Sequence, residues 1–107
     1  MKHLKVEVYI PEDFAIKLAN ALNEKDFLKE GHYDYAFSTT EVTGYWRPLE
    51  DASPYEGEIG VVSKQKELKM EFRILEEDQV EVLRTIKMIH PYETPAINFF
   101  PLLEVEE

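Results

Sequence analysis

Leu68-Lys69-Met70-Glu71-Phe72-Arg73-Ile74 alternates apolar and charged side chains without a break. An extended backbone sends successive side chains to opposite faces, so this stretch predicts a strand with one apolar and one charged face. Three acids, Glu76-Glu77-Asp78, follow and suit the positive end of a helix dipole. Behind them Val80, Leu83, Ile86 and Ile89, with Val82 in support, recur at helical spacing and predict an amphipathic helix. Pro91 must end it, because its ring removes an amide donor and collides with the preceding turn.

The same strand-then-helix pattern stands near the start of the chain. Leu4, Val6, Val8 and Ile10 alternate with Lys5, Glu7 and Tyr9. Pro11-Glu12-Asp13 then opens a stripe of Phe14, Leu18 and Leu22, flanked by Ala15 and Ala19, that predicts a helix over 11–26. Gly31 reopens the chain, and the aromatic and β-branched residues of 33–40 predict an extended segment. A turn at Val42-Thr43-Gly44 sends Tyr45-Trp46-Arg47 back as the second arm of a hairpin. Pro, Gly, Ser and acids from Pro48 to Gly60 predict an ordered irregular loop of the Ω type. Ala96 to Leu103 closes as a strand in which Pro101 belongs at an edge or a bulge. The acidic tail Glu104-Val105-Glu106-Glu107 is expected to fray.

Two strand–helix pairs, each followed by a further strand, assemble into one α+β domain over 1–107. It is a ferredoxin-like βαββαβ sandwich with two helices on one face of an antiparallel four-stranded sheet. An inserted hairpin and an irregular loop separate its second and third core strands. The other sheet face carries Lys5, Glu7, Tyr9, Lys69, Glu71 and Arg73, a hydrated or subunit-facing surface.

Charge narrows the partners. The 22 acidic and 12 basic residues give a net charge of −10, and no basic run tracks a duplex, which argues against nucleic acid and anionic membranes. There is no cysteine, so disulfides, thiolate metal sites and cysteine nucleophiles are excluded. No stretch has the roughly 20 apolar residues of a membrane span, and the start lacks a signal-peptide apolar region. These features together predict a cytoplasmic protein.

Chemistry concentrates in two segments. His90-Pro91-Tyr92-Glu93-Thr94-Pro95 sets an imidazole, a phenol and a carboxyl group on a stiff link, and Gly31-His32-Tyr33-Asp34-Tyr35 repeats that trio. His90 can hold a metal or a proton, or can end the helix by bonding a free carbonyl. Glu93 can receive backbone donors of the bend or face a cation. His32 and Asp34, two apart, share a face of an extended segment, which fits a common ligand; Asp beside Gly and Tyr also fits a hydrogen-bonded turn. Trp46 and Arg47 can stack on a planar ligand, or act as an apolar plug and a surface ion-pair partner. The candidate ligand-binding or interface set is therefore His32, Tyr33, Asp34, Arg47, His90, Tyr92 and Glu93. His32, His90 and Glu93 are the candidate ligands for a divalent metal. No residue is assigned a catalytic role: three scattered histidines do not advertise a zinc site, and Ser38 with His32 or His90 and Asp34 supplies the letters of a Ser-His-Asp set without its pattern.

The motifs also agree, in order and spacing, with a known module. Gly31-His32-Tyr33-Asp34, Phe37-Ser38, Thr43-Gly44, Arg47-Pro48-Leu49, Ala52 with Pro54 and Gly57, and His90-Pro91-Tyr92-Glu93 with Pro95-Ala96 resemble the inserted domain of the Nif-three-like (YqfO-type) dinuclear-metal-centre proteins. The resemblance runs from Leu4 to Leu103. It implies a fold akin to CutA and PII signalling proteins, whose relatives assemble as trimers with ligand sites at subunit interfaces. In that family the module caps a separate metal-binding domain, whose ligands lie outside the stretch matched here. The expectation is thus a stand-alone form of the module: a noncatalytic, homotrimeric binding or regulatory unit for a small ligand, a cation or a partner such as a separate metal-centre protein. The alternative is a small metal-dependent hydrolase with His32, Asp34, His90 and Glu93 around one ion.

Overall fold

The alternating stretches form the two central strands of the sheet. In the computed structural model, which describes residues 2–104, β1 spans His3–Ile10, α1 Glu12–Glu24, β2 Ser38–Trp46, β3 Ser63–Leu75, α2 Gln79–Ile89 and β4 Ile97–Pro101. A single 3-10 turn, Glu76–Asp78, joins β3 to α2. The fraying expected of the tail falls, for 105–107, outside the described residues.

The strands lie in the order β2-β3-β1-β4, and every neighbouring pair is antiparallel. This is the expected α+β, βαββαβ arrangement. Leu4, Val6, Val8 and Ile10 of β1 and Met70, Phe72 and Ile74 of β3 join Ala15, Leu18, Ala19 and Leu22 of α1 and Val82 and Ile86 of α2 in one core. Burying each large side chain of that set contributes about 1.5–3 kcal/mol. Pro101 sits on β4, an edge strand paired only with β1, where its missing amide interrupts no inner ladder.

Three expectations are corrected. β2 has no turn at Val42-Thr43-Gly44: it continues through Val42↔Glu67, Thr43↔Lys66 and Gly44↔Gln65 to Trp46↔Ser63. The hairpin is β2–β3 itself, its connection being residues 47–62, and β3 starts at Ser63 rather than Leu68. Residues 33–37, expected to be extended, precede β2 as turn and irregular backbone, with Tyr35 at φ 49°. On α2, Val80 is exposed, and the buried stripe is Val82, Thr85 and Ile86 with Ile89 partly buried. The 3-10 turn shifts where the helix begins, and 82, 85, 86 and 89 are the positions that share one helical face.

β1 covers only Leu68–Leu75 of β3, so Ser63–Glu67 and Val42–Trp46 run beyond it as a two-stranded projection. The molecule is accordingly long, 52 × 25 × 24 Å.

Candidate functional site

Pro91 forces the residue before it out of helical geometry, and His90 is extended, at φ −66° and ψ 130°. Its amide still bonds the carbonyl of Ile86 at 2.8 Å, so α2 ends with the imidazole turned toward the sheet. There the ring is buried, with Nε2 at 2.6 Å from the Tyr9 carbonyl of β1. Nε2 must therefore carry the proton, which leaves Nδ1 to accept the Tyr92 amide at 3.2 Å. Both nitrogens are engaged within the chain. Burial pushes the imidazole below its ordinary pKa, against the opposing pull of the Tyr9 carbonyl and the Glu67 charge.

The bend after His90 forms one wall of a cleft of about 430 Å³. Tyr92 packs on His90 with ring centroids 4.9 Å apart, and Trp46 and Tyr55 stand 5.7 and 6.2 Å from Tyr92. Trp46 is fixed by its indole N–H, which donates to the Glu56 carbonyl at 3.3 Å, and Tyr55 by an edge-to-face contact with Phe14 of α1. The Glu93 carboxylate accepts the Ser53 amide at 3.1 Å, tying the bend to the 47–62 loop. Arg47, Tyr92 and Glu93 of the candidate set thus line one cleft, together with Trp46.

Glu67 is the residue that sequence reasoning missed. It lies within Lys64-Gln65-Lys66-Glu67, a run that reads as solvated, yet it is 6% exposed. Its side chain crosses the strand face above Gly44, where any Cβ would meet its carboxyl oxygen Oε1. Gly44 is therefore kept for space rather than for a turn. Glu67 Oε2 and the Tyr92 hydroxyl are both buried, and the phenol has the Glu67 carboxyl beside it as its hydrogen-bond acceptor, with no other partner for either atom among the described residues; both residues line the cleft. Burial, with the Glu67 carboxyl beside it, pushes the Tyr92 phenol well above its ordinary pKa and keeps it a donor.

The Gly31–Tyr35 segment lines no part of this cleft. His32, Tyr33 and Asp34 are exposed. Asn23 of α1 holds the segment: its Nδ2 donates to Asp34 Oδ2 at 3.1 Å and its Oδ1 accepts the Tyr35 amide at 2.9 Å. Glu30 and Tyr33 exchange backbone bonds of 2.8 and 2.9 Å, which close a tight turn. The hydrolase arrangement is not formed, since no three His, Asp or Glu residues gather into a metal-binding group among the described residues. His32 is on the outer turn, and His90 has no nitrogen to spare. Ser38 opens β2 opposite Glu71.

No protein-family model matches the chain. A GTP cyclohydrolase 1 type 2 homolog of Staphylococcus epidermidis is 35% identical over 105 residues, 98% of this chain and 29% of that protein. The crystal structure of a Bacillus cereus protein related to NIF3 aligns with TM-score 0.80 and 27% identity, covering 94% of this chain and 26% of that one. The divalent cation tolerance protein CutA of Archaeoglobus fulgidus aligns with TM-score 0.72 over 98% of this chain and 88% of its own. At 19% identity the likeness to CutA is one of fold. The chain spans less than a third of the length of the curated relatives it matches.

Proposed function

We propose that this chain, which is homologous to a portion of about 105 residues of GTP cyclohydrolase 1 type 2 homologs and NIF3-related proteins and has the CutA fold, is a noncatalytic, homotrimeric module that binds a small ligand in the cleft of Trp46, Glu67 and Tyr92. One observation carries the ligand reading. Glu67 is 6% exposed at the cleft wall, and its carboxyl and the Tyr92 hydroxyl have only each other among the described residues, so the buried acid keeps acceptor capacity that a ligand can complete. Absence of catalysis is supported by His90, whose nitrogens are both occupied, and by Tyr92, whose phenol resists ionisation.

Self-association is supported by the edges of the sheet. β2 is a nine-residue edge strand without proline or lysine, on a hairpin that outruns the core, and such an edge offers its unpaired backbone groups to another chain. Two measurements test the proposal. Light scattering at micromolar concentration is expected to return three times the protomer mass of 12.6 kDa, and a monomer would count against the assembly. In a screen of small polar and charged compounds by two-dimensional NMR, hits should move the Trp46 indole resonance and the Tyr92 amide. A screen in which no compound moves either would defeat the ligand reading.

A further inference from the structure

We propose that the ligand of this cleft is a small organic cation, an alkylated ammonium ion paired with the Glu67 carboxylate and faced by the rings of Trp46, Tyr55 and Tyr92. The inference rests on reading the cleft as a ligand site and adds the chemical class. Trp46 and Tyr55 are each tilted 46° to Tyr92 and all three line the cleft, so the rings border one space without stacking in parallel. Aromatic faces carry negative charge density, and rings turned toward a common space attract a large, weakly hydrated cation. Glu67 supplies the counter-charge. It is 6% exposed on the cleft lining, and among the described residues no cation pairs with it, the Tyr92 hydroxyl being the one group hydrogen-bonded to its carboxyl.

The alternatives fit less well. An anion would meet the buried Glu67 carboxyl and the nearby Glu56 and Glu93, and would have only Arg47, which lies exposed on the lining, to offset them. A bare divalent ion needs several oxygen or imidazole ligands, and the described residues gather no such group. A volume of about 430 Å³ lies in the range of small-molecule sites and exceeds what one inorganic ion requires. Tyr92, held protonated by burial and by the Glu67 carboxyl beside it, is free to turn its hydroxyl hydrogen to an oxygen of the same ligand once the cation takes that carboxyl.

Trp46 is the single tryptophan, so its emission reports the cleft directly. The full chain is titrated with choline, with its uncharged isostere 3,3-dimethylbutan-1-ol, and with acetate. Choline is expected to give a saturating change with Kd of about 1 mM or tighter, and the uncharged alcohol to bind about 10-fold or more weakly. Glu67→Gln should weaken choline by about 10-fold or more while keeping the parent fold, since the amide matches the carboxyl in shape and its oxygen still accepts from the Tyr92 hydroxyl. Tyr92→Phe, followed by the Trp46 indole resonance, provides a second variant and should weaken choline but not tetramethylammonium, which has no hydroxyl. Equal binding of choline and the alcohol, or undiminished choline binding by Glu67→Gln, overturns the cation assignment. If acetate or the alcohol binds at Trp46 and choline does not, the cation class is lost and the ligand cleft stands; if the broader NMR screen also finds nothing, both are lost.

Discussion

His90 joins three parts of the molecule through one ring: the end of α2, the Tyr9 carbonyl of β1 and the amide of Tyr92. Because burial lowers its pKa, the folded protein favours the neutral imidazole, and the unfolded chain takes up the proton first. The stability that His90 contributes is complete above the unfolded value of 6.5 and is lost as pH falls from there through the lower folded value. Urea midpoints taken between pH ~7 and pH ~5 should therefore fall more for the parent than for His90→Gln, which has no proton to gain in that window. Parallel pH profiles for the two proteins would refute this. At this scale the sequence was partly legible. Pro91 dictates an extended His90 whatever surrounds it, but that its ring reaches a carbonyl 81 residues away depends on how α2 lies on the sheet.

The connection from α1 to β2 is an element tethered to α1 by two asparagines, Asn23 and Asn20, the latter accepting the Tyr35 hydroxyl at 2.9 Å. Asn23 bonds Asp34 and the Tyr35 amide, and it stabilises Tyr35 in a left-handed conformation that a residue with a Cβ rarely adopts. Asn23→Ala should destabilise the protein by about 1 kcal/mol in urea titration, with faster hydrogen exchange at the Tyr35 amide and little change in the α1 interior. Unchanged exchange at Tyr35 would mean that the turn holds itself. The Gly31–Tyr35 motif, which reads as a second chemical cluster, is thus explained as a tethered turn. β2 shows the opposite difficulty: Gly44 within β-branched and aromatic neighbours suggested a turn, yet the ladder with β3 runs through it. A glycine in a strand marks either a bend or a close approach, and only the cross-strand register shows that Glu67 fills the space.

Shape and charge act on the whole molecule together. A radius of gyration of 15.2 Å exceeds the value of about 13 Å usual for a domain near 100 residues, because the β2–β3 hairpin extends past the core. The net charge of −10 on each copy opposes association, and screening shortens the repulsion from ~30 Å at ~0.01 M salt to ~3 Å at ~1 M. The fraction of assembled protein in sedimentation runs should consequently rise with salt. A fall would indicate that attractive ion pairs between copies outweigh the net charge. No helix of the described residues is long and apolar enough to cross a membrane, in keeping with the hydropathy of the sequence.

The sequence by itself determined the order of the elements, the buried faces of β1, β3 and α1, the confinement of Pro101 to an edge or a bulge, and the corner at His90-Pro91. Each follows from a local rule: side-chain period, a ring-locked φ, a missing amide. The tertiary structure alone decided the cleft. Glu67 is surrounded by lysines in sequence, and its burial arises from the register that sets it over Gly44 and from the loop and bend that bring Trp46, Tyr55 and Tyr92 together. Local pattern reports which way a side chain leaves the backbone, whereas desolvation depends on what distant segments place on top of it.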